Sequence, residues 1–394
     1  MERIKIYNGK IITPYRLISN GTIIVEDSKI ISITEGNIDT QASLEIDACG
    51  NYISPGFIDL HVHGGGGADF MDGDVDSFLQ VANTHAQYGT TALSPTTLTS
   101  EASDLITTFE NYEKALKLNT KGAQFLGIHL EGPYFAMNQR GAQDPRYIRN
   151  PDPEEYLEIL SSYSHLISRW SSAPELPGTT AFAKALAQYN VLPAIAHSDA
   201  VYEDVVKAFE NGFSLVTHLY SGMSGVTRRN AHRYAGVIES AFIIDEMDVE
   251  VIADGVHLPA PFLQLIYKIK GAEHIALVTD AMRGAGMGEG KSILGGIKNG
   301  LDVIIEEGVA KLPDKSSFAG SVATADRLIR SMTRLGQVPL QEAIKMMTAT
   351  PARILGIDKT KGSLAEGKDA DIIIFDDNIT IQKTIIKGNI VFER

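Results

Sequence analysis

The sequence predicts an α/β protein, a (β/α)8 TIM barrel with a small β-sandwich domain formed from both chain termini. Three observations lead there. Eight apolar, strand-like segments recur between residues 56 and 357, separated by longer amphipathic segments, which is the pattern of a parallel sheet with crossover helices. Eight such units in one stretch favour a closed barrel over an open sheet. Short alternating segments cluster at either end of the chain, and neither group supplies enough apolar surface to stand alone. With 394 residues the chain can bury a barrel core and a minor domain together.

Taken in order, residues 4–7, 21–26, 30–33 and 44–47 alternate polar and apolar side chains, and Pro55-Gly56 punctuates their end. They form the first part of the small domain, over 1–55. Barrel strands are expected at 57–63, 90–94, 125–131, 166–173, 191–197, 213–218, 249–253 and 275–280, within a catalytic domain over 56–357. The glycine-rich run 284–290 reads equally as a mobile lid or a plain surface loop. Residues 370–375 and 383–387, introduced by the turn-rich Glu366-Gly367-Lys368, complete the small domain over 358–394.

Composition excludes several function classes. The formal net charge of −14 argues against non-specific binding of nucleic acid, which needs a broad basic surface. No apolar run approaches the ~20 residues of a membrane helix, so no membrane partner is expected. The opening residues lack the apolar core of a signal peptide, and the single cysteine, Cys49, fits a reducing compartment; both predict a cytoplasmic protein. One cysteine also excludes a thiolate metal site. Any metal must sit on histidine and carboxylate.

Such residues recur where the apolar runs end, at the C-terminal ends of barrel strands, the usual place for a barrel active site. His61 and His63 end the first run, Glu131 the third, His197 the fifth, His218 the sixth and Asp280 the eighth. Strand side chains alternate faces, so His61 and His63 project from one side. A lone histidine on an apolar run is more often a hydrogen-bonded core residue. Six metal-competent residues at matching positions point instead to a metal centre. Four imidazoles and two carboxylates suit Zn²⁺, Fe²⁺ or Mn²⁺ better than Ca²⁺ or Mg²⁺. Glu131 lies between the two histidine pairs in barrel order and is the natural bridge between two divalent ions, with Asp280 left as a weak ligand, a proton carrier, or both.

The His-Val-His after Pro55-Gly56-Phe57-Ile58-Asp59, the strings His129-Leu130-Glu131-Gly132-Pro133, Thr217-His218-Leu219-Tyr220, Ile252-Ala253-Asp254-Gly255-Val256-His257 and Leu277-Val278-Thr279-Asp280-Ala281-Met282, and the late Phe318-Ala319-Gly320-Ser321 resemble the N-acetylglucosamine-6-phosphate deacetylases of the amidohydrolase superfamily. The resemblance runs nearly end to end. It implies metal ligation by Glu131, His197 and His218, a second ion on the His61/His63 pair, and Asp280 as general acid/base. It implies a phosphorylated amino sugar as substrate, its 6-phosphate bound by His257 and by Arg233, the latter reaching in from the other subunit of a homodimer. It also implies a role in amino-sugar catabolism and cell-wall sugar recycling.

Three departures stand out. Ser221-Gly222 occupies a segment that lines the phosphate pocket, where many relatives carry an amide side chain followed by alanine; backbone N–H groups can still bind there, but sugar specificity is open, and the galacto epimer is a rival substrate. Gln143 stands where some relatives place a histidine that polarises the acetyl carbonyl, and it can donate a hydrogen bond without changing charge. Ser198 replaces a common amide after His197. For Arg228 and Arg229 the alternative to an anion-binding role is a solvated helix or loop face. A cyclic-amide hydrolase of the same superfamily would use a lysine on the fourth strand, and residues 165–173 offer none. A non-catalytic metabolite-binding protein on this fold would be expected to have lost one of the six key positions, and all six are present.

Overall fold

The computed structural model describes residues 3–394. Eight parallel strands form the barrel in chain order: β1 (Phe57–Val62), β2 (Thr90–Thr97), β3 (Ile128–Glu131), β4 (Ile167–Ser172), β5 (Leu192–Ile195), β6 (Leu215–Val216), β7 (Asp248–Val251) and β8 (Ile275–Leu277). The ring is drawn together just past β8, where Val62 bridges Ala281 in parallel and the Asp280 N–H donates to the His61 carbonyl at 2.9 Å. The expected barrel is present.

Strand alternation sorts the side chains of the ring. On β3, Ile128 and Leu130 pack outward among Phe78, Phe109 and Trp170, while His129 and Glu131 point inward. Trp170 of β4 lies against Tyr134 and Phe182 at centroid separations of 5.7 and 5.1 Å, whereas its neighbours Arg169 and Ser171 hydrogen-bond inside the ring. The outer layer is helical. Helix Val75–Ala86 starts where Asp74 accepts from the Ser77 N–H, and Pro153–Tyr163 starts with proline in its first turn and Asp152 as its cap.

Eight strands from the two ends of the chain pair in a single second sheet. Tyr52–Pro55 is its hinge, parallel to Arg3–Ile12 on one edge and antiparallel to Ile372–Phe375 on the other. Ile372 and Ile374 bury with Ile6, Ile23 and Ile53 in the sheet's own core, while the alternate residues Ile373 and Phe375 join the barrel core beside Phe57. No helix among the described residues is long and apolar enough to cross a membrane.

Two segments differ from the sequence reading. Residues after β8 form an antiparallel four-stranded meander, Gly290–Leu294, Leu301–Glu306, Val309–Lys311 and Phe318–Ser321, with Leu294, Val303 and Ile305 in its core. Of the run 284–290, Gly284 and Ala285 are buried and the Ala285 carbonyl accepts from the Gly66 N–H, while residues 286–290 are exposed like a surface loop; Arg283, just before the run, pairs with Asp72 at 2.6 Å. The basic run is neither helix nor loop but an exposed hairpin, Thr227–Arg229 with His232–Tyr234, turned by Asn230 and Ala231 at φ 47° and 68°.

Candidate active site

All six metal-competent residues meet at the C-terminal mouth of the barrel. His61, His63 and Asp280 form one cluster and Glu131, His197 and His218 another, each with its ligand atoms within 4.8 Å of one another. Glu131 joins them. Its Oε1 lies 3.2 Å from His197 Nε2 and 2.9 Å from His218 Nε2, and its Oε2 lies 3.3 Å from His63 Nε2 and 3.7 Å from His61 Nε2. Asp280 Oδ1 is 3.1 Å from His63 Nε2 and 3.4 Å from His61 Nε2.

The strands stop short of three of these residues. Pairing ends at Ile195, Val216 and Leu277, and His197, His218 and Asp280 then adopt left-handed backbone at φ 46°, 33° and 48°. This conformation is uncommon for residues with a Cβ and tends to mark functional sites. Here it turns each side chain off its strand and over the barrel axis. Gly222, at φ 58°, leaves room for this: a Cβ there would lie 2.7 Å from His197 Nδ1 and 2.8 Å from the Gln139 carbonyl, which accepts from that Nδ1 at 2.7 Å. The glycine therefore braces a ligand besides facing the cavity.

The donor set fits divalent cations. The Nε2 atoms of His61 and His63 approach to 3.2 Å, an arrangement that needs a positive centre between the lone pairs or a shared proton. Burial works against protonation of both rings, but Asp280 and Glu131 outweigh it and raise His61 to about 9 and His63 to about 10. Burial alone would likewise lift the carboxyls, yet His61 and its neighbours hold Glu131 well below, and Asp280 below, the usual carboxylate range. Two rings this close share charge poorly, so the metal-free pair holds at least one proton at neutral pH.

A cation must displace that proton. Zn²⁺ titrated into metal-free protein at pH 7 is expected to release at least one proton per chain, measured by calorimetry in buffers of different ionisation enthalpy. The release should fade as pH passes about 10. The sign follows for stability: raised histidines stabilise the metal-free fold below about pH 6.5 and lose that contribution as pH climbs through 9 to 10. Metal uptake at pH 7 without proton release would sink this assignment.

A cavity of about 550 Å³ opens onto the centre, and His63, Glu131, His197, His218 and Asp280 form part of its wall. Gln143, Ser221, Gly222 and His257 line it too. Gln143 is nearly buried; its amide donates to Glu131 Oε2 at 2.8 Å and its carbonyl accepts from the Thr99 N–H and hydroxyl. His257 is anchored by Asp254, whose Oδ2 accepts from Nδ1 at 2.8 Å. Arg233 stands apart: it is exposed on the hairpin and is absent from the cavity wall of its own chain. Sequence reading missed Lys311 and Lys315, which the meander brings to the cavity together with Phe318, there named only as part of a motif. It also missed Arg169 and Glu250, fully buried below the ligands.

The Amidohydrolase family profile matches residues 52–391. An N-acetylglucosamine-6-phosphate deacetylase of Lysinibacillus sphaericus is 33% identical over 373 residues, covering 93% of this chain and 92% of its own. An N-acetylgalactosamine-6-phosphate deacetylase of Escherichia coli is also 33% identical, over 86% of this chain and 87% of its own. Among solved structures, an N-acetyl-D-glucosamine-6-phosphate deacetylase variant of Mycobacterium smegmatis, in complex with N-acetyl-D-glucosamine-6-phosphate, superposes with a TM-score of 0.90 at 27% identity, over 99% of this chain and 100% of its own. With its barrel, its two joined ligand clusters and these relatives, the chain belongs to the amidohydrolase family, among the N-acetylglucosamine-6-phosphate deacetylases.

Proposed function

We propose that the protein is a metal-dependent deacetylase that hydrolyses the acetamide of N-acetylglucosamine 6-phosphate to glucosamine 6-phosphate and acetate. The observation that carries this reading is the junction at Glu131: two ligand clusters share one carboxylate, with Asp280 beside them, on the wall of a cavity that also holds His257. Divalent cations held by His61, His63, Glu131, His197, His218 and Asp280 would supply Lewis-acid polarisation of the carbonyl and acidification of a water. Two ions per chain, of Zn, Fe or Mn, match the two nitrogen and oxygen clusters.

Asp280, beside both clusters, is assigned to take the proton of the attacking water. As the carbon–nitrogen bond breaks it returns that proton to the nitrogen, because an amide anion is a very poor leaving group. Gln143 holds Glu131 in register between the clusters, and its amide lines the cavity as a neutral donor for charge developing on the carbonyl oxygen. His257, fixed by Asp254, is assigned to the 6-phosphate, with the backbone N–H of Gly222 alongside; the Ser221 N–H is spent on the His218 carbonyl at 2.9 Å, which leaves Ser221 its hydroxyl.

The phosphate needs a stronger cation, and we assign Arg233 from a second copy of the chain. Its exposure on a hairpin and its absence from the cavity wall of its own chain support that assignment and hence a homodimer. Arg233→Ala is expected to raise KM for the phosphorylated sugar at least ~10-fold, the scale of a lost charge-assisted hydrogen bond, with kcat little changed. An unchanged KM would remove Arg233 from the phosphate site. A cytoplasmic location accords with the single cysteine.

The reading is tested by acetate release from N-acetylglucosamine 6-phosphate, its galacto epimer and unphosphorylated N-acetylglucosamine, with metal counted on the same sample. Release from the gluco phosphate above all is expected. Preference for the epimer would move the substrate and keep the chemistry; no release from any of the three by metal-loaded protein would overturn the reading.

A further inference from the structure

Beneath the ligands, the barrel interior holds an ion pair that the reaction does not consume. Glu250 on β7 and Arg169 on β4 are completely buried and in contact with each other. Most other groups of the pair are committed, Arg169 Nε alone lacking a partner among the described residues. Arg169 Nη2 donates to the Leu60 carbonyl at 2.9 Å and to His129 Nδ1 at 2.8 Å. His129, accepting at Nδ1, must donate from Nε2, and Ser171 Oγ receives that bond at 2.7 Å. Glu250 Oε2 lies 3.2 Å from His61 Nδ1.

A buried ion pair is weak evidence for a stability role, because desolvation offsets most of its attraction. Its connections say more. A carboxylate can only accept, so His61 carries its hydrogen on Nδ1 and turns the Nε2 lone pair toward His63 and Asp280. The other three imidazoles have nothing comparable. His197 Nδ1 meets a backbone carbonyl, and His63 Nδ1 and His218 Nδ1 have no partner among the described residues. Among the described residues Glu250 is the one carboxylate hydrogen-bonded to the Nδ1 of these imidazoles, and it serves one cluster of the two.

We propose that Glu250 is a positioning residue that selectively holds a metal ion in the His61/His63/Asp280 cluster, and that Arg169 keeps it aimed. The proposal rests on the two-ion reading above. Carboxylates behind metal-ligating histidines fix tautomer and ring orientation, and losing one costs about 10- to 100-fold in metal affinity. That loss falls on one site, not both.

The test is chelator-competition titration of Zn²⁺ into metal-free parent protein, Glu250→Gln, and the double variant Glu250→Met/Arg169→Met, with cobalt absorption spectra recorded alongside. The double variant removes both charges together and so avoids stranding Arg169. Two sites are expected in the parent. In both variants one site should weaken ~10- to 100-fold while the other is unchanged, and only one cobalt spectrum should be lost. Equal weakening of both sites would show a merely structural pair, and unchanged affinities would remove Glu250 from the metal site; either overturns the proposal. A single site in the parent would overturn the two-ion reading and the proposal with it.

Discussion

Replacing Asp280 by asparagine should lower turnover at least ~10²-fold while leaving KM and the ion of the Glu131 cluster in place. The substitution is nearly isosteric. Asp280 Oδ1 sits 3.1 Å from His63 and 3.4 Å from His61, and it does not touch His197 or His218 among the described contacts. What asparagine removes is the proton-carrying function: an amide neither accepts a proton from water at neutral pH nor returns one to a leaving nitrogen. Loss of a positioned acid/base is worth about 10²- to 10⁴-fold. The check is kcat beside metal content on the same preparation. Near-normal turnover with metal intact would take Asp280 out of proton transfer and leave it as a ligand only.

A still larger effect is expected from Glu131→Gln. Among the described residues no other carboxylate reaches histidines of both clusters, and its two oxygens are divided between them, one toward His197 and His218 and one toward His61 and His63. An amide must turn an N–H₂ toward one of those sets. If that end replaces Oε2 it also faces the Gln143 donor, now 2.8 Å from an acceptor. Either orientation removes a negative charge from beneath both cation positions. Metal should be lost from both clusters, and turnover should fall by at least ~10³-fold, the upper end for one electrostatic group. Two ions surviving gel filtration in this variant would show that Glu131 is not a shared ligand.

Much of this centre was legible because a barrel with an active site at its mouth writes a simple pattern, an apolar run that ends in a polar residue. Ala276-Leu277-Val278-Thr279-Asp280 and Leu192-Pro193-Ala194-Ile195-Ala196-His197 both carry it. Side-chain pattern does not record where backbone pairing ends, so the strands were drawn through His197, His218 and Asp280, residues that the left-handed turns in fact take off the strands. The meander was missed despite a local signal: Glu307 and Gly308 take φ 53° and 73°, the turn of a tight hairpin between Leu301–Glu306 and Val309–Lys311. Glu250 was beyond reach for another reason. In Asp248-Val249-Glu250-Val251 it reads as the solvent face of an alternating strand, and only closure of the ring sets it against His61. Arg233 sits on an exposed hairpin, away from the cavity wall of its own chain, and no pattern along one sequence shows that.

The sheet built from both ends has a consequence for how the polypeptide is made. The edge of Tyr52–Pro55 that pairs with Ile372–Phe375 emerges from the ribosome early and stays open until the last part of the chain is synthesised. The whole barrel is translated in between. An exposed edge of that kind is a template for pairing with other chains. Contacts so distant along the sequence also form slowly. Nascent chains stalled before Ile372 should therefore be more prone to aggregate than complete ones, and the closing strands act as a final latch.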